Sequence, residues 1–120
     1  VGTLGNPMVV KGQIHGGLVQ GIGQALMEEC LYDAGSGQYI SGTFMDYAMP
    51  KAQDMPDLTL DTFETLSPLN PLGAKGIGEL PTVAAPAAIT NAVIDALYST
   101  GVRHIDTPLT PEKIWRALNP

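Results

Sequence analysis

The residues best suited to chemistry lie in one short stretch, Gly73 to Pro81, reading GAKGIGELP. It gathers small residues, one lysine and one glutamate. Small residues let backbone N–H groups turn toward a ligand, as in anion nests and oxyanion holes. Glu79 closes the stretch just ahead of an expected helix, where the helix dipole favours a negative charge. A carboxylate so placed suits a general base, although burial against a bound group opposes its charge. Two well-known glycine loops are excluded. A phosphate loop needs a glycine-lysine-serine/threonine ending, and here Lys75 precedes Gly76. A dinucleotide fingerprint needs a third glycine where Pro81 stands, and a strand where the chain reads SPLNPLG. A loop whose glycines are purely structural remains the plain alternative.

Other elements must hold this loop. Gln13 to about Glu29 reads as a helix, with Ile14, Leu18, Val19, Ile22, Ala25 and Leu26 on one arc. Gln13, Gly17, Gln20, Gln24 and Glu28 form the opposite stripe. Glycines within this helix each cost about 1 kcal/mol relative to alanine, and the usual offset is close approach of another backbone or a bulky ligand. Upstream, Asn6-Pro7 reads as a turn before the apolar run Met8–Val10. Asp33–Gly37, between Leu31-Tyr32 and Tyr39-Ile40, predicts a hairpin, and Leu58–Leu66 alternates like a strand. From Ser67 to Pro81 the chain predicts a long irregular loop, which inside a compact domain is usually functional. A second helix is expected from Pro81 to about Thr100, stopped by Gly101, with Ile89, Val93, Ile94 and Leu97 on its buried side. Pro86 either kinks it or marks a later start. Thr110 as N-cap and Pro111 behind it open a last short helix that should bury Ile114, Trp115 and Leu118. Helices and strands without regular alternation predict an α+β fold, with a mixed sheet or hairpin, two main helices and a short C-terminal one.

The 120 residues correspond to one domain, and 44% hydrophobic with 15% charged residues is a globular composition. A formal charge of −6 with scattered Lys and Arg argues against a nucleic-acid surface. A single cysteine, Cys30, excludes an internal disulfide framework and a multi-cysteine metal site. No apolar run approaches the ~20 residues of a membrane span, no signal peptide is recognisable, and a cytoplasmic location is expected. Starting at Val1, the chain reads as a piece of something larger. His15 reads as a packed histidine without a second ligand, so no metal-ligating side chain is expected. Met45, Met49 and Met55 read as gap-fillers.

Two long motifs carry a resemblance. NPMVVKGQIHGGLVQGIGQALMEE (Asn6–Glu29) and PLGAKGIGELPTVAAPAAITNAVIDAL (Pro71–Leu97) resemble the C-terminal part of the molybdenum-binding large subunit of the xanthine oxidase family. FMDY (Phe44–Tyr47) also follows the large chain of aerobic carbon monoxide dehydrogenases. The resemblance implies that residues 1–120 are the C-terminal portion of a molybdopterin-binding domain. It implies that Glu79 is the general base, taking a proton from water activated by molybdenum. It places Gln20 near the metal, where a solvated helix face is the alternative, and makes Lys75, Gly76, Ile77 and Gly78 cofactor-binding. The implied cofactor is molybdopterin in its cytosine dinucleotide form, with 2Fe–2S clusters and FAD in partner subunits or domains. Substrates would be small molecules: carbon monoxide, an aldehyde or a heterocycle. The isolated piece is expected to be inactive. The rival classes are a non-catalytic interaction module and a nucleotide-binding module.

Overall fold

Asn6 sets the first helix. It lies in extended backbone, and its side-chain oxygen accepts from the N–H groups of Met8 and Val9 at 3.1 and 3.2 Å. Pro7, which has no N–H to satisfy, takes the first helical position. In the computed structural model, which describes all of Val1–Pro120, helix α1 therefore runs Pro7–Leu26. The expected turn at Asn6-Pro7 is the cap itself, and Met8–Val10 are the helix's opening turn. Helix α2 covers Leu80–Leu97 and helix α3 Pro111–Leu118, with single 3-10 turns at Ala52–Asp54 and Tyr98–Thr100.

α1 and α2 pack through small residues. A methyl group added at Gly17 would stand 3.0 Å from Pro81 Cβ, and one at Gly21 only 2.5 Å from Ala85 Cβ. Both contacts advance by four residues, so the helices run in the same direction. Gly17, Gly21 and Ala25 are buried on α1, as are Pro81 and Ala85 on α2. The buried face of α1 thus passes through Gly17, which periodicity had assigned to the polar stripe. On α2 the expected side, Ile89, Val93, Ile94 and Leu97, is half-buried. Pro86 sits inside α2, and its ring approaches the Cα side of Gly21, with Cδ 3.2 Å from where a Cβ would lie. α2 ends in its 3-10 turn at Gly101, whose φ of 92° is left-handed.

Thr110 caps α3 as expected, its hydroxyl accepting from the N–H of Lys113 at 3.3 Å. Two bonds return this end to the C-terminus of α1 and the segment just after it: Leu109 N–H to the Ala25 carbonyl at 2.6 Å and Lys113 Nζ to Glu29 at 2.7 Å. The side chains expected to be buried are not. Trp115 is 63% and Leu118 43% exposed, and only Ile114 is half-covered.

The expected mixed sheet is absent, and the chain is helical with a long irregular connection. Asp33–Gly37 does turn, but one antiparallel bridge, Tyr32 to Tyr39, replaces the hairpin ladder. The turn is fastened locally: Ser36 donates its N–H and its hydroxyl to Asp33 at 2.8 and 2.6 Å, and the buried Ser41 hydroxyl links Leu31 and Glu29. The backbone of residues 58–66 bonds to another segment only at the start of the chain, with Val1 N to Phe63 O at 2.9 Å and Thr65 N to Val1 O at 2.7 Å. A strand needs a ladder along its edge, and here nothing longer than Val1–Thr3 lies beside it.

Only 11 of 120 residues are buried. The radius of gyration is 18.0 Å, against about 14 Å for a compact chain of this length. The accessible surface is 8634 Å², where a closed monomer of this mass exposes about 6,200 Å². Phe44, Met45, Phe63 and Leu69 are each more than four-fifths exposed. By length and mean hydropathy, Leu80–Thr100 also qualifies as a bilayer span, correcting the expectation that no run comes close.

Candidate functional site

The glycine loop begins rigidly. Asn70 brackets Ala74 with both ends of its side chain, accepting from the N–H and donating to the carbonyl at 2.9 Å each. The Gly73 carbonyl accepts from Ser67 and Thr3 at 3.1 and 3.3 Å. Gly73 itself has φ +64°, and a side chain there would run into Leu66. Gly2 lies directly beneath, where a methyl group would overlap the Gly73 carbonyl. The loop is thereby seated on the first residues of the chain.

Beyond Ala74 these ties stop. The backbone N–H groups of Lys75, Gly76, Ile77, Gly78 and Glu79 donate to no group of the chain. Their run leads straight into the N-terminus of α2. Glu79 occupies the cap position, but its side chain does not cap the helix. Its carboxylate is exposed and makes no internal hydrogen bond or ion pair. A carboxylate left uncommitted at a positive helix end can accept a proton or orient a donor.

The glycines of this stretch separate into two kinds. Gly73 is required by its own backbone conformation. Gly76 is not: its φ is not positive, and an added methyl group would meet nothing within 4 Å. Gly78 is similar, its nearest neighbour being Gln13 Oε1 at 3.9 Å. Nothing inside the chain demands glycine at 76 or 78. Unpartnered donors plus surplus open space fit a large, acceptor-rich group lying against the loop.

The α1 stripe lies alongside. Gln13 faces Gly78, Gly17 faces Pro81, and Gln20 meets Thr82, whose hydroxyl is 3.3 Å from Gln20 Oε1 and 3.1 Å from the Gly17 carbonyl. The structure thus brings Gln20 to the first turn of α2, three residues past Glu79. Lys75 points elsewhere, donating to Thr65 Oγ1 at 2.8 Å. Thr82 and Asn70 were not singled out from the sequence. The signal for Thr82 was its place one helical turn after the carboxylate, and for Asn70 the turn chemistry of Asn-Pro-Leu-Gly.

Two larger clefts lie away from these residues. One, about 570 Å³, is lined by Met27, Phe44–Lys51 and Asp54. There the Glu28 carboxylate holds the Tyr47 hydroxyl above the usual phenol range. The other, about 600 Å³, lies between the end of α1, α2 and α3, among Leu26, Val93, Leu109 and Ile114. No group of three or more His, Cys, Asp or Glu side chains is placed to hold a metal ion.

With this geometry in view, the likenesses to known proteins are consistent with one another. Residues 1–56 match the family described as molybdopterin cofactor-binding domain. The chain is 42% identical to the carbon monoxide dehydrogenase large chain of Hydrogenophaga pseudoflava, over 98% of this chain and 14% of that protein. It is 49% identical to subunit gamma of the 6-hydroxypseudooxynicotine dehydrogenase complex of Paenarthrobacter nicotinovorans, over 95% of this chain and 14% of that one. Among solved structures, quinoline 2-oxidoreductase from Pseudomonas putida 86 superimposes with a TM-score of 0.93 at 48% identity, covering 98% of this chain and 15% of that one. The chain spans about a seventh of the length of these curated relatives.

Proposed function

Because this chain belongs to the xanthine oxidase family, as a segment of its molybdenum-binding large subunit, we propose that it forms one wall of the molybdopterin site and supplies Glu79 as general base. The observation that carries this reading is the run of five unpartnered backbone N–H groups, Lys75 to Glu79, ending at an uncommitted carboxylate. When bound, the cofactor supplies a Lewis-acidic molybdenum centre and the capacity to take up electrons.

The chain's own residues do the rest. The N–H groups of 75–79 donate to acceptor atoms of the bound group, while Gly76 and Gly78 keep side chains out of its way. Glu79 takes up the abstracted proton on a carboxylate oxygen. Gln20, braced on Thr82, presents its amide to the same space. The Lys75 ammonium is held on Thr65, so Lys75 contributes its backbone rather than its charge.

The parent enzyme would use the cytosine dinucleotide form of molybdopterin and pass electrons to 2Fe–2S and FAD partners in the cytoplasm. The excess surface of this chain, with Phe44, Met45 and Phe63 uncovered, would pack against the remainder of the large subunit, and α2 would lie inside that subunit rather than in a membrane. Alone, the chain would be inactive.

The test is Glu79→Gln in the full-length parent. A general base contributes about 10²- to 10⁴-fold, so turnover should fall on that scale while molybdenum content per polypeptide stays constant. Turnover within a few-fold of wild type would make Glu79 a spectator and end this reading.

A further inference from the structure

Thr82 belongs to neither of the expected site motifs, yet its hydroxyl stands where α1 and α2 meet. It is within 3.1 Å of the Gly17 carbonyl and 3.3 Å of Gln20 Oε1. A threonine hydroxyl has one proton to donate and lone pairs to accept with. The Gly17 carbonyl can only accept. The terminal amide of Gln20 can do either, because half a turn about its last bond exchanges oxygen and nitrogen. The arrangement that puts a proton in both contacts gives the Thr82 proton to Gly17 and has the Gln20 NH₂ group donate to Thr82 Oγ1. That chain of donors leaves the Gln20 carbonyl oxygen on the side away from Thr82, with its orientation fixed.

We propose that Thr82 is a positioning residue, whose single hydroxyl locks the α1–α2 crossing at Gly17 and sets which end of the Gln20 amide faces the site. Glu79 and Thr82 lie on successive ends of the same helical turn, with Val83 N–H bonded to the Glu79 carbonyl at 3.3 Å. The proposed base and the Gln20 amide are therefore held by one turn of backbone. Placing the amide at the cofactor rests on the function proposed above; the hydrogen-bond chain itself does not.

The experiment uses the full-length enzyme with Thr82→Val, which removes the hydroxyl at nearly constant shape, and Thr82→Ser, which keeps it. Crystal structures of both give the readout that is independent of activity. Gln20 should hold one conformer in wild type and Thr82→Ser, and lose it in Thr82→Val. An unmoved Gln20 in Thr82→Val overturns the proposal. In turnover, Thr82→Val should lower kcat about tenfold, the scale of one lost hydrogen bond, with molybdenum content unchanged and most of the loss recovered in Thr82→Ser. Adding Thr82→Val to Gln20→Ala should lower kcat no further; an equal further drop would mean that the hydroxyl does not act through Gln20, and would also overturn it. If Thr82→Val does not assemble, Thr82→Ala carries the same comparisons. A Gln20→Ala enzyme of normal kcat whose Thr82→Val partner still frees Gln20 in the crystal would support the hydrogen-bond chain and remove Gln20 from the cofactor, separating the two readings.

Discussion

Three glycines of one loop answer to two different demands, and substitutions should divide them. Gly73 has a left-handed backbone, where a side chain costs about 1–2 kcal/mol, and Leu66 crowds the space besides. Gly73→Ala should therefore lower the melting temperature of the parent enzyme. Gly76→Ala meets neither obstacle, so it should leave melting of the cofactor-free protein unchanged and reduce the molybdenum retained per polypeptide. Asp33 makes a prediction in pH. Hydrogen bonds from Ser36 hold its carboxyl below the usual range. A lowered folded value means that the bond's stabilisation is complete above the unfolded value and disappears as pH falls through the folded one. A carbon-13 titration of the Asp33 carboxyl should thus show a midpoint below that of free aspartate, and Ser36→Ala should move it upward. The place of Glu79, at the end of the loop and the start of α2, was legible from the sequence. Thr82 was not, because its importance comes from a contact across 65 residues of sequence, to which local pattern is blind.

At the scale of elements, what could be read were the signals that act within a few residues. Thr110-Pro111 opening α3 and Gly101 closing the α2 segment are both found. Asn6-Pro7 carries the same capping chemistry but reads as a turn in the sequence, because the glycines that follow weaken a helical pattern. The strand expected at 58–66 is absent for a different reason. Alternation reports which way side chains point in extended backbone, but not whether another strand lies alongside. Helix crossing was half legible: glycines within α1 implied a close neighbour, and that neighbour is α2. Gly21→Val should force the pair apart, since even a methyl group there would lie 2.5 Å from Ala85. Overpacking of this sort costs about 1–3 kcal/mol, measurable as a lower denaturant midpoint of the parent. Gly16→Ala, on the open side of α1, should be neutral or mildly stabilising.

For the molecule as a whole, surface decides. With 8634 Å² accessible and 11 residues buried, the chain by itself has too little covered apolar area to offset the entropy of ordering its long connections. Expressed alone, it should melt without a sharp transition and scatter as a body no more compact than 18.0 Å in radius of gyration; a cooperative transition with a radius near 14 Å would contradict this. The composition reads as globular because a hydrophobic fraction of 44% counts residues and not whether anything covers them. The paired four-residue steps, Gly17 to Gly21 against Pro81 to Ala85, carry a consequence for descent. Length changes inside either helix would twist glycines out of contact by ~100° per inserted residue, whereas the Asp33–Gly37 turn places no atom against either step. Lineages drifting toward new reactants can therefore lengthen, trim or trade that turn, while the two clasped helices, with the glycine loop that enters the second, are inherited as a unit.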